Sequence, residues 1–268
     1  MALLNNSLRD KLSILSGNHA SRQGIHYWQR WFGQGLNLLF PPQCIACKKN
    51  GYLFCPHCSQ EVRPLTEPLC FRCGRPQLES IITCAQCERT EWLLRWARAA
   101  ARFAMPLQSA IHALKYDGKK ELAAPLARYL VATYRSTPWH QIDSSLDMII
   151  PVPLHPKRLQ DRGYNQAQLL AESFGEIVQK PVKSEVLLRR HFASSQVGLD
   201  FDARQANVAG AFQVQQDLSG MNVLILDDVY TTGATLNACA NALQEAGAAA
   251  VYGLTLAMAG YTDHARAI

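Results

Sequence analysis

Eight of the nine cysteines in this 268-residue chain lie between residues 44 and 87, and they occur only as Cys-x-x-Cys pairs. This spacing lets two thiolates converge on one ion in a tight turn, so four pairs suffice for two tetrahedral four-cysteine sites. The pattern predicts two structural zinc ions, and it leaves open whether successive or interleaved pairs share an ion. The predicted ligands are Cys44, Cys47, Cys55, Cys58, Cys70, Cys73, Cys84 and Cys87.

Three other roles for these pairs are weaker. A disulfide framework needs an oxidising compartment, and the start of the chain carries Arg9, Asp10 and Lys11 where a secretory signal needs an apolar stretch. A redox pair is disfavoured because no thioredoxin-like strand precedes any of the four pairs, which leaves an iron–sulfur cluster as the other alternative. The stretch has too few apolar residues for its own core, so metal has to supply the folding free energy. His57 is predicted to be a solvated loop residue rather than a ligand.

The positive charge of the chain is concentrated at its start. The first hundred residues hold 12 Lys and Arg and 6 Asp and Glu, whereas the rest of the chain holds 15 of each. Eight thiolates bound to two Zn²⁺ would add a charge of −4 to this first segment and leave it at +2. The charge therefore permits nucleic-acid binding without requiring it.

Ahead of the cysteines, apolar residues from Trp28 and Trp31 to Phe40 recur at helical spacing until Pro41. They predict an amphipathic helix packed on the rest of the protein, with a membrane-surface helix as the alternative. No uncharged apolar run approaches the ~20 residues of a membrane-spanning helix, and we expect a cytoplasmic protein. The predicted organisation is an N-terminal extension over residues 1–40, a double zinc ribbon over residues 41–92 and a larger domain over residues 93–268.

After residue 93, strand and helix patterns alternate. Strands are predicted at residues 99–104, 148–152, 223–226 and 249–258, and helices at residues 106–114, 121–134, 166–178 and 234–246. This alternation predicts an α/β domain with a mainly parallel sheet and helices on both faces. In such sheets, ligands bind beyond the carboxyl ends of the strands. Cys239 falls in an Ala-rich helix and is predicted to be a small buried side chain.

One segment of this domain, residues 223–236, combines three features of a phosphate-sugar site. An apolar strand is followed by the acids Asp227 and Asp228, predicted to stand where that strand leaves the sheet, and then by a hydroxyl-rich loop that opens a helix. Helix N-terminal amides, a glycine and hydroxyls make a phosphate cradle, and the carboxylates can accept hydrogen bonds from sugar hydroxyls. The combination predicts a ribose-5-phosphate pocket. The acids alone could equally cap a helix or bind a metal, and no nucleotide-triphosphate or dinucleotide fingerprint is present.

The same segment resembles the 5-phosphoribosyl-1-pyrophosphate (PRPP) signature of type I phosphoribosyltransferases. Together with the cysteine module, the stretches at residues 112–118, 151–166 and 196–212 make the chain similar to the ComF/GntX family over roughly residues 28–260. The chain differs from the family at Ala193, where a threonine is usual. The resemblance implies a type I phosphoribosyltransferase-like parallel sheet preceded by a small zinc-ribbon module.

The resemblance also implies a PRPP site that takes Mg²⁺ together with PRPP. Asp227 and Asp228 would hold the ribose 2′ and 3′ hydroxyls, the loop would hold the 5′-phosphate, and the turn after the second strand would face the pyrophosphate and Mg²⁺. Residues 189–212 would be a flap that closes over the site. The remaining implied contacts are Thr231, Thr232, Gly233, Ala234 and Thr235 in the loop, Val152, Pro153 and Leu154 in the turn, and the cations Lys115, Lys157, Arg158 and Arg162.

In function, the resemblance implies a PRPP-binding protein of DNA uptake or use, as in natural competence, with incoming single-stranded DNA and competence proteins as partners. Trp92 and Trp96, like Trp28 and Trp31, could stack on DNA bases, although burial is commoner for tryptophan. Two alternatives stay open, namely a nucleotide-salvage phosphoribosyltransferase and a PRPP sensor without chemistry. No base pocket is marked in the sequence, so we assign no catalytic residue and no acceptor.

Overall fold

The computed structural model of the protein describes residues 41–136, 138–190 and 210–260. The helix predicted around Trp28 and Trp31, the position of Ala193 and most of the predicted flap lie outside the described residues. The strands are β1 (Ala97–Arg102), β2 (Met148–Pro151), β3 (Leu187–Arg189), β4 (Phe212–Val214), β5 (Asn222–Tyr230) and β6 (Ala250–Met258).

The central sheet has four strands in the order β1-β6-β5-β2, and every neighbouring pair is parallel. Residues 223–226 of β5 and the whole of β6 are buried, as expected for a parallel sheet covered on both faces. β3 and β4 form a separate antiparallel pair. This pair brackets the stretch of chain predicted to be the flap.

The described residues form seven α-helices, two in the cysteine segment and five in the larger domain, and helices of the larger domain cover both faces of the sheet. They are α1 (Pro56–Gln60), α2 (Ala85–Glu88), α3 (Leu107–Tyr116), α4 (Ala123–Tyr134), α5 (Pro156–Arg162), α6 (Gln166–Val178) and α7 (Ala234–Glu245). Leu224 and Leu226 of β5 pack with α3, α4 and α6, whereas Val223 and Ile225 pack with α7. This division follows from strand geometry, because successive side chains point to opposite faces.

The cysteine segment covers the β1 edge of the sheet. The amide of Leu65 donates to the Ala100 carbonyl at 3.3 Å, and the amide of Ala97 donates to the Arg72 carbonyl at 2.7 Å. These bonds satisfy backbone groups of β1 that an open edge strand would leave unpaired. The second group of cysteines, from Cys70 to Cys87, also belongs to the apolar cluster on the α7 face.

The predicted fold class is confirmed, and α6 has the bounds predicted for it. One prediction was wrong in detail, since Asp227 and Asp228 do not follow the strand but lie inside it. β5 continues to Tyr230 because β6 pairs with it as far as Met258. On the other side, β2 ends at Pro151 opposite Leu226, so the two acids have a strand neighbour on one side only.

Two smaller differences concern element ends. The first strand begins at Ala97 and ends at Arg102, and the helix predicted from residue 121 starts with a 3₁₀ turn over Lys120–Leu122. Within the described ranges, no helix has the length and apolar character needed to cross a membrane.

Candidate functional site

The eight paired cysteines form two separate tetrads. Within each tetrad, the four sulfur atoms lie within 4.8 Å of one another, and every cysteine except Cys47 is buried. Successive pairs share a site, which decides between the two arrangements that the sequence left open. The tetrads are Cys44, Cys47, Cys55 and Cys58 in the first and Cys70, Cys73, Cys84 and Cys87 in the second.

The thiol chemistry of the first tetrad suits a metal. The amide of Cys55 donates to Sγ of Cys44 at 3.4 Å, and the amide of Cys58 donates to Sγ of Cys55 at 3.5 Å. Burial acts to raise the pKa of Cys44, but backbone hydrogen bonds, including that from Cys55, lower it to about 6. Four converging sulfur atoms with amide donors match structural zinc, whereas His57 is exposed and outside the tetrad.

The acid pair lies on both faces of β5. Asp228 is buried at 3% exposure, and its Oδ2 lies 2.7 Å from Nζ of Lys115 on α3. Asp227 is half-buried, and its Oδ1 accepts a hydrogen bond from the Asp228 amide at 2.8 Å. Burial and the neighbouring Asp228 charge raise the pKa of Asp227 to about 8. The pair therefore combines one carboxylate that has a cationic partner with one that tends to hold a proton.

The loop after β5 has the backbone of a phosphate cradle. Gly233 has φ +87°, and a Cβ there would lie 2.6 Å from the Tyr230 hydroxyl, so only glycine fits. Oγ1 of Thr232 accepts a hydrogen bond from the Ala234 amide at 3.3 Å. Thr231 is exposed and Thr235 is half-buried, and α7 begins directly after the glycine. Amides in the first turn of a helix lack intrahelical acceptors, so this loop offers donors to an anion.

The turn after β2 lies beside the acids. The Val152 amide donates to the Leu226 carbonyl at 2.9 Å, and the Val152 carbonyl accepts from Nδ2 of Asn165 at 2.9 Å. Val152 and Pro153 are buried, and Leu154 is half-buried. The turn is thereby fixed at the end of β2, next to the residue that precedes Asp227.

The second cysteine tetrad belongs to a segment that touches the phosphate cradle. Arg75, two residues after Cys73, donates from one terminal nitrogen to the Thr231 carbonyl at 3.3 Å and from the other to the Gly260 carbonyl at 3.0 Å. Further along, Nδ2 of Asn237 on α7 donates to the Glu91 carbonyl at 2.7 Å. The cysteine module therefore contacts both the cradle and the helix that the cradle opens.

Comparison with known proteins identifies the family of this chain. The model of the double zinc ribbon domain family matches residues 35–88. Over 221 residues, the chain is 32% identical to the DNA utilization protein YhgH of Escherichia coli K12, which covers 80% of this chain and 96% of the relative. The chain belongs to the ComF/GntX family.

Two further similarities complete this comparison. This ComF/GntX protein is 28% identical over 213 residues to competence protein F of Haemophilus influenzae, covering 76% of this chain and 92% of the relative. Among solved structures, glutamine PRPP amidotransferase from B. subtilis, complexed with ADP and GMP, is 18% identical with a TM-score of 0.32. That match covers 52% of this chain and 26% of the other, so the ComF/GntX chain spans about a quarter of the amidotransferase.

The cations predicted for the ComF/GntX site differ in their surroundings. Lys115 pairs with Asp228, and Arg162 lies over the Tyr116 ring, with 5.1 Å from its Cζ to the ring centroid. Arg158 is half-buried and Lys157 is exposed, both on α5. The structure thus brings Lys115 to Asp228 directly, and it holds Arg162, the last residue of α5, against Tyr116 at the end of α3.

Arg189 is a residue of this region that sequence reasoning missed. It ends β3, and its Cζ lies 5.4 Å from the centroid of the Phe212 ring on β4. Burial lowers the pKa of Arg189, and the nearby charges of Arg158 and Asp227 act on it in opposite directions. Nothing in the sequence separates Arg189 from Arg190, because only the pairing of β3 with β4 places one of them over the Phe212 ring.

Where the structure describes them, the tryptophans considered for DNA stacking are buried or half-buried. Trp96 is buried at 9% exposure, between Trp139 and Tyr252. Trp92 is half-buried, and its Cζ3 atom would lie 3.0 Å from a Cβ added to Gly233. Cys239 is fully buried on α7, as predicted. Trp28 and Trp31 lie outside the described residues.

Proposed function

We propose that this protein binds PRPP, or a closely related phosphoribosyl compound, at the carboxyl ends of β2 and β5, and that it acts in the uptake or use of extracellular DNA. The observation that carries the PRPP part is the grouping of Asp227 and Asp228, the Gly233 loop and the Val152 turn at one edge of the sheet. The DNA part rests on the names of the relatives, a DNA utilization protein and a competence protein.

Each chemical part of PRPP has a suitable partner in this arrangement. The hydroxyls and amides of residues 231–235 suit the 5′-phosphate. Asp227 and Asp228 suit the ribose 2′ and 3′ hydroxyls, because the ionised carboxylate of Asp228 accepts strong hydrogen bonds and a protonated Asp227 can both donate and accept. The Val152–Leu154 turn and the cations Arg158 and Arg162 are the proposed neighbours of the pyrophosphate.

Magnesium is proposed to bind together with PRPP. Mg²⁺ prefers oxygen ligands and is usually held by one or two carboxylates plus substrate phosphates. Asp227 and Asp228 supply such oxygens, and they stand next to the turn proposed for the pyrophosphate. When bound, the ion neutralises the charge of the diphosphate.

If transfer occurs, a nucleophile attacks C1 of the ribose while the bond from C1 to the pyrophosphate oxygen breaks. The pyrophosphate leaves with its electron pair, and nearby cations stabilise its charge. Lys115 contacts Asp228. It would therefore act on the ribose side of the ligand, by fixing the carboxylate proposed to bind the ribose. A salvage phosphoribosyltransferase and a PRPP sensor share these contacts, and release of pyrophosphate distinguishes them.

The proposed partners on the DNA side are incoming single strands and the proteins that deliver them, which places the protein in the cytoplasm. The side chains available for stacking differ from those first considered. Phe71 is 46% exposed and Tyr52 is 43% exposed, both in the cysteine module. Aromatic side chains next to basic residues are typical stacking surfaces for single-stranded nucleic acids.

Calorimetry with PRPP and Mg²⁺ tests the proposal on wild type and on Asp228→Asn, which keeps the size of the side chain. We expect wild type to bind PRPP and the variant to lose at least about tenfold in affinity, since it loses a charged hydrogen-bond acceptor. Glu176→Ala, at an exposed acid on α6, is the control and should bind as wild type does. Absence of PRPP binding by zinc-loaded wild type would refute the proposal.

A further inference from the structure

Tyr116 is a large aromatic side chain left open to solvent, next in sequence to the lysine that contacts Asp228. It ends α3, and 64% of it is exposed. The preceding residue, Lys115, reaches Asp228 with 2.7 Å between Nζ and Oδ2. The exposed ring and the lysine that contacts Asp228 therefore occupy adjacent positions in the last turn of α3.

The ring is held in place although it is exposed. The His112 ring, one turn earlier on α3, lies 4.7 Å from it between centroids, and the Arg162 guanidinium lies 5.1 Å from its centroid. Arg162 in turn donates to Oε1 of Gln166. These contacts fix the orientation of the tyrosine and still leave most of its surface accessible.

The end of α3 is also tied to the turn after β2. The Tyr164 hydroxyl donates to the Leu114 carbonyl at 2.5 Å, and the Lys120 ammonium lies 4.6 Å from the centroid of the Tyr164 ring. The next residue, Asn165, donates to the Val152 carbonyl. The end of α3, which carries Tyr116, is therefore linked through Tyr164 and Asn165 to the Val152 turn, and through Lys115 to Asp228.

The surroundings of Tyr116 favour a flat, polar ligand over an apolar protein surface. The exposed residues that follow it are Asp117, Gly118, Lys119 and Lys120, none of them apolar. A tyrosine ring backed by a guanidinium is a suitable stacking partner for a nucleobase. An isolated aromatic among charged residues does not offer the continuous apolar patch that protein docking needs.

We propose that Tyr116 is the stacking platform for the base of a nucleotide whose ribose is held by Asp227 and Asp228. This inference rests on the proposed function, and it supplies the base subsite that the sequence does not mark. The subsite accepts purines and pyrimidines by their ring faces. Its selectivity among them comes from groups at the ring edge, of which His112 is one.

The test measures PRPP and the common nucleoside 5′-monophosphates against the full-length, zinc-loaded protein. Tyr116→Ala should bind PRPP as wild type does and should bind the monophosphates about 5- to 150-fold more weakly, the usual effect of losing one base–aromatic stack. Tyr116→Phe keeps the ring and should bind both ligands normally. Ile177→Ala, at an exposed side chain of α6, is the control, and thermal unfolding checks that the variants fold.

The outcomes separate this inference from the proposed function. If PRPP binds wild type but Tyr116→Ala weakens neither ligand, or weakens both equally, the platform is refuted and PRPP binding stands. A loss confined to a short single-stranded oligonucleotide would also refute the mononucleotide assignment. If wild type binds no PRPP, both proposals fail.

Discussion

The Lys115 ammonium lies 2.7 Å from Oδ2 of Asp228, and it joins the end of α3 to the part of β5 that extends past β2. Both side chains are largely withdrawn from water, at 21% and 4% exposure. The lysine compensates one of two adjacent carboxylates, so the second has to be ionised beside an existing negative charge. This asymmetry sets the titration of the site.

The first prediction concerns pH and Asp227, whose pKa is raised to about 8 from 3.8, first by burial and then by Asp228. A folded-state pKa above the unfolded one means that the folded protein holds a proton that the unfolded chain releases. Stability is therefore lost as pH rises from about 4 to about 8 and changes no further above that range. Asp227→Asn removes this loss.

The measurement is urea unfolding of wild type and Asp227→Asn at several values between about pH 6 and about pH 9. The stability of the variant relative to wild type should increase up to about pH 8 and then level off. A difference that does not change with pH would contradict the assigned titration. Glu176→Gln, at an exposed acid of α6, provides the baseline.

The second prediction concerns Gly233, which has φ +87° and no room for a Cβ beside the Tyr230 hydroxyl. Gly233→Ala should lower the free energy of unfolding by about 1–3 kcal/mol, from left-handed backbone strain and from the clash. Gly220→Ala separates the two causes, since Gly220 has φ +77° and open space around it. Equal losses in urea unfolding would show that the contact with Tyr230 has no effect.

Sequence reasoning succeeds where the signal is local. The Cys-x-x-Cys turns bring sulfur atoms together within a few residues, and the helix from residue 166 to 178 begins where the Asn165 side chain accepts from the Ala167 amide. The glycine and hydroxyl residues of 231–235 likewise predict the loop, because the turn at Gly233 needs a positive φ. Each of these features is set by residues that lie close to it in the sequence.

Sequence reasoning fails where a distant strand or helix decides. The acids lie inside β5 because β6 is long enough to pair with them, and the apolar run of residues 223–226 carries no information about its neighbour. The contacts of Arg75, Arg189 and Tyr116 depend on residues far away in the chain. A single basic or aromatic residue at the end of an element or in a loop has no periodic pattern that would reveal such partners.

The third prediction concerns Arg75, whose terminal nitrogens donate to the carbonyls of Thr231 and Gly260. Arg75→Ala should weaken PRPP binding about fivefold, because the loop loses a hydrogen bond worth about 1 kcal/mol that holds it in place. Zinc content should not change. Arg72→Ala, in the same segment, should bind PRPP as wild type does, and calorimetry of the two variants makes the comparison.

The last prediction separates the two zinc sites by what they support. The second tetrad packs in the cluster that contains α7 and the α7 face of β5, and Arg75 beside it holds the Thr231 carbonyl. The first tetrad forms a small cluster of its own with Phe54, and its segment reaches α4 through the 2.6 Å hydrogen bond between the hydroxyls of Ser59 and Tyr129. Loss of the two ions should therefore have different consequences.

Cys87→Ser and Cys58→Ser each remove one buried sulfur ligand, and each should reduce the bound zinc from two ions to one. Cys87→Ser should also weaken PRPP binding by roughly tenfold or more, because the cradle loses its support on the α7 face. Cys58→Ser should keep PRPP affinity within about twofold of wild type. Zinc content and calorimetry on the same samples decide between these outcomes. Equal losses of PRPP affinity would mean that the two sites fold as one unit, and that the contact through Arg75 has no separate role.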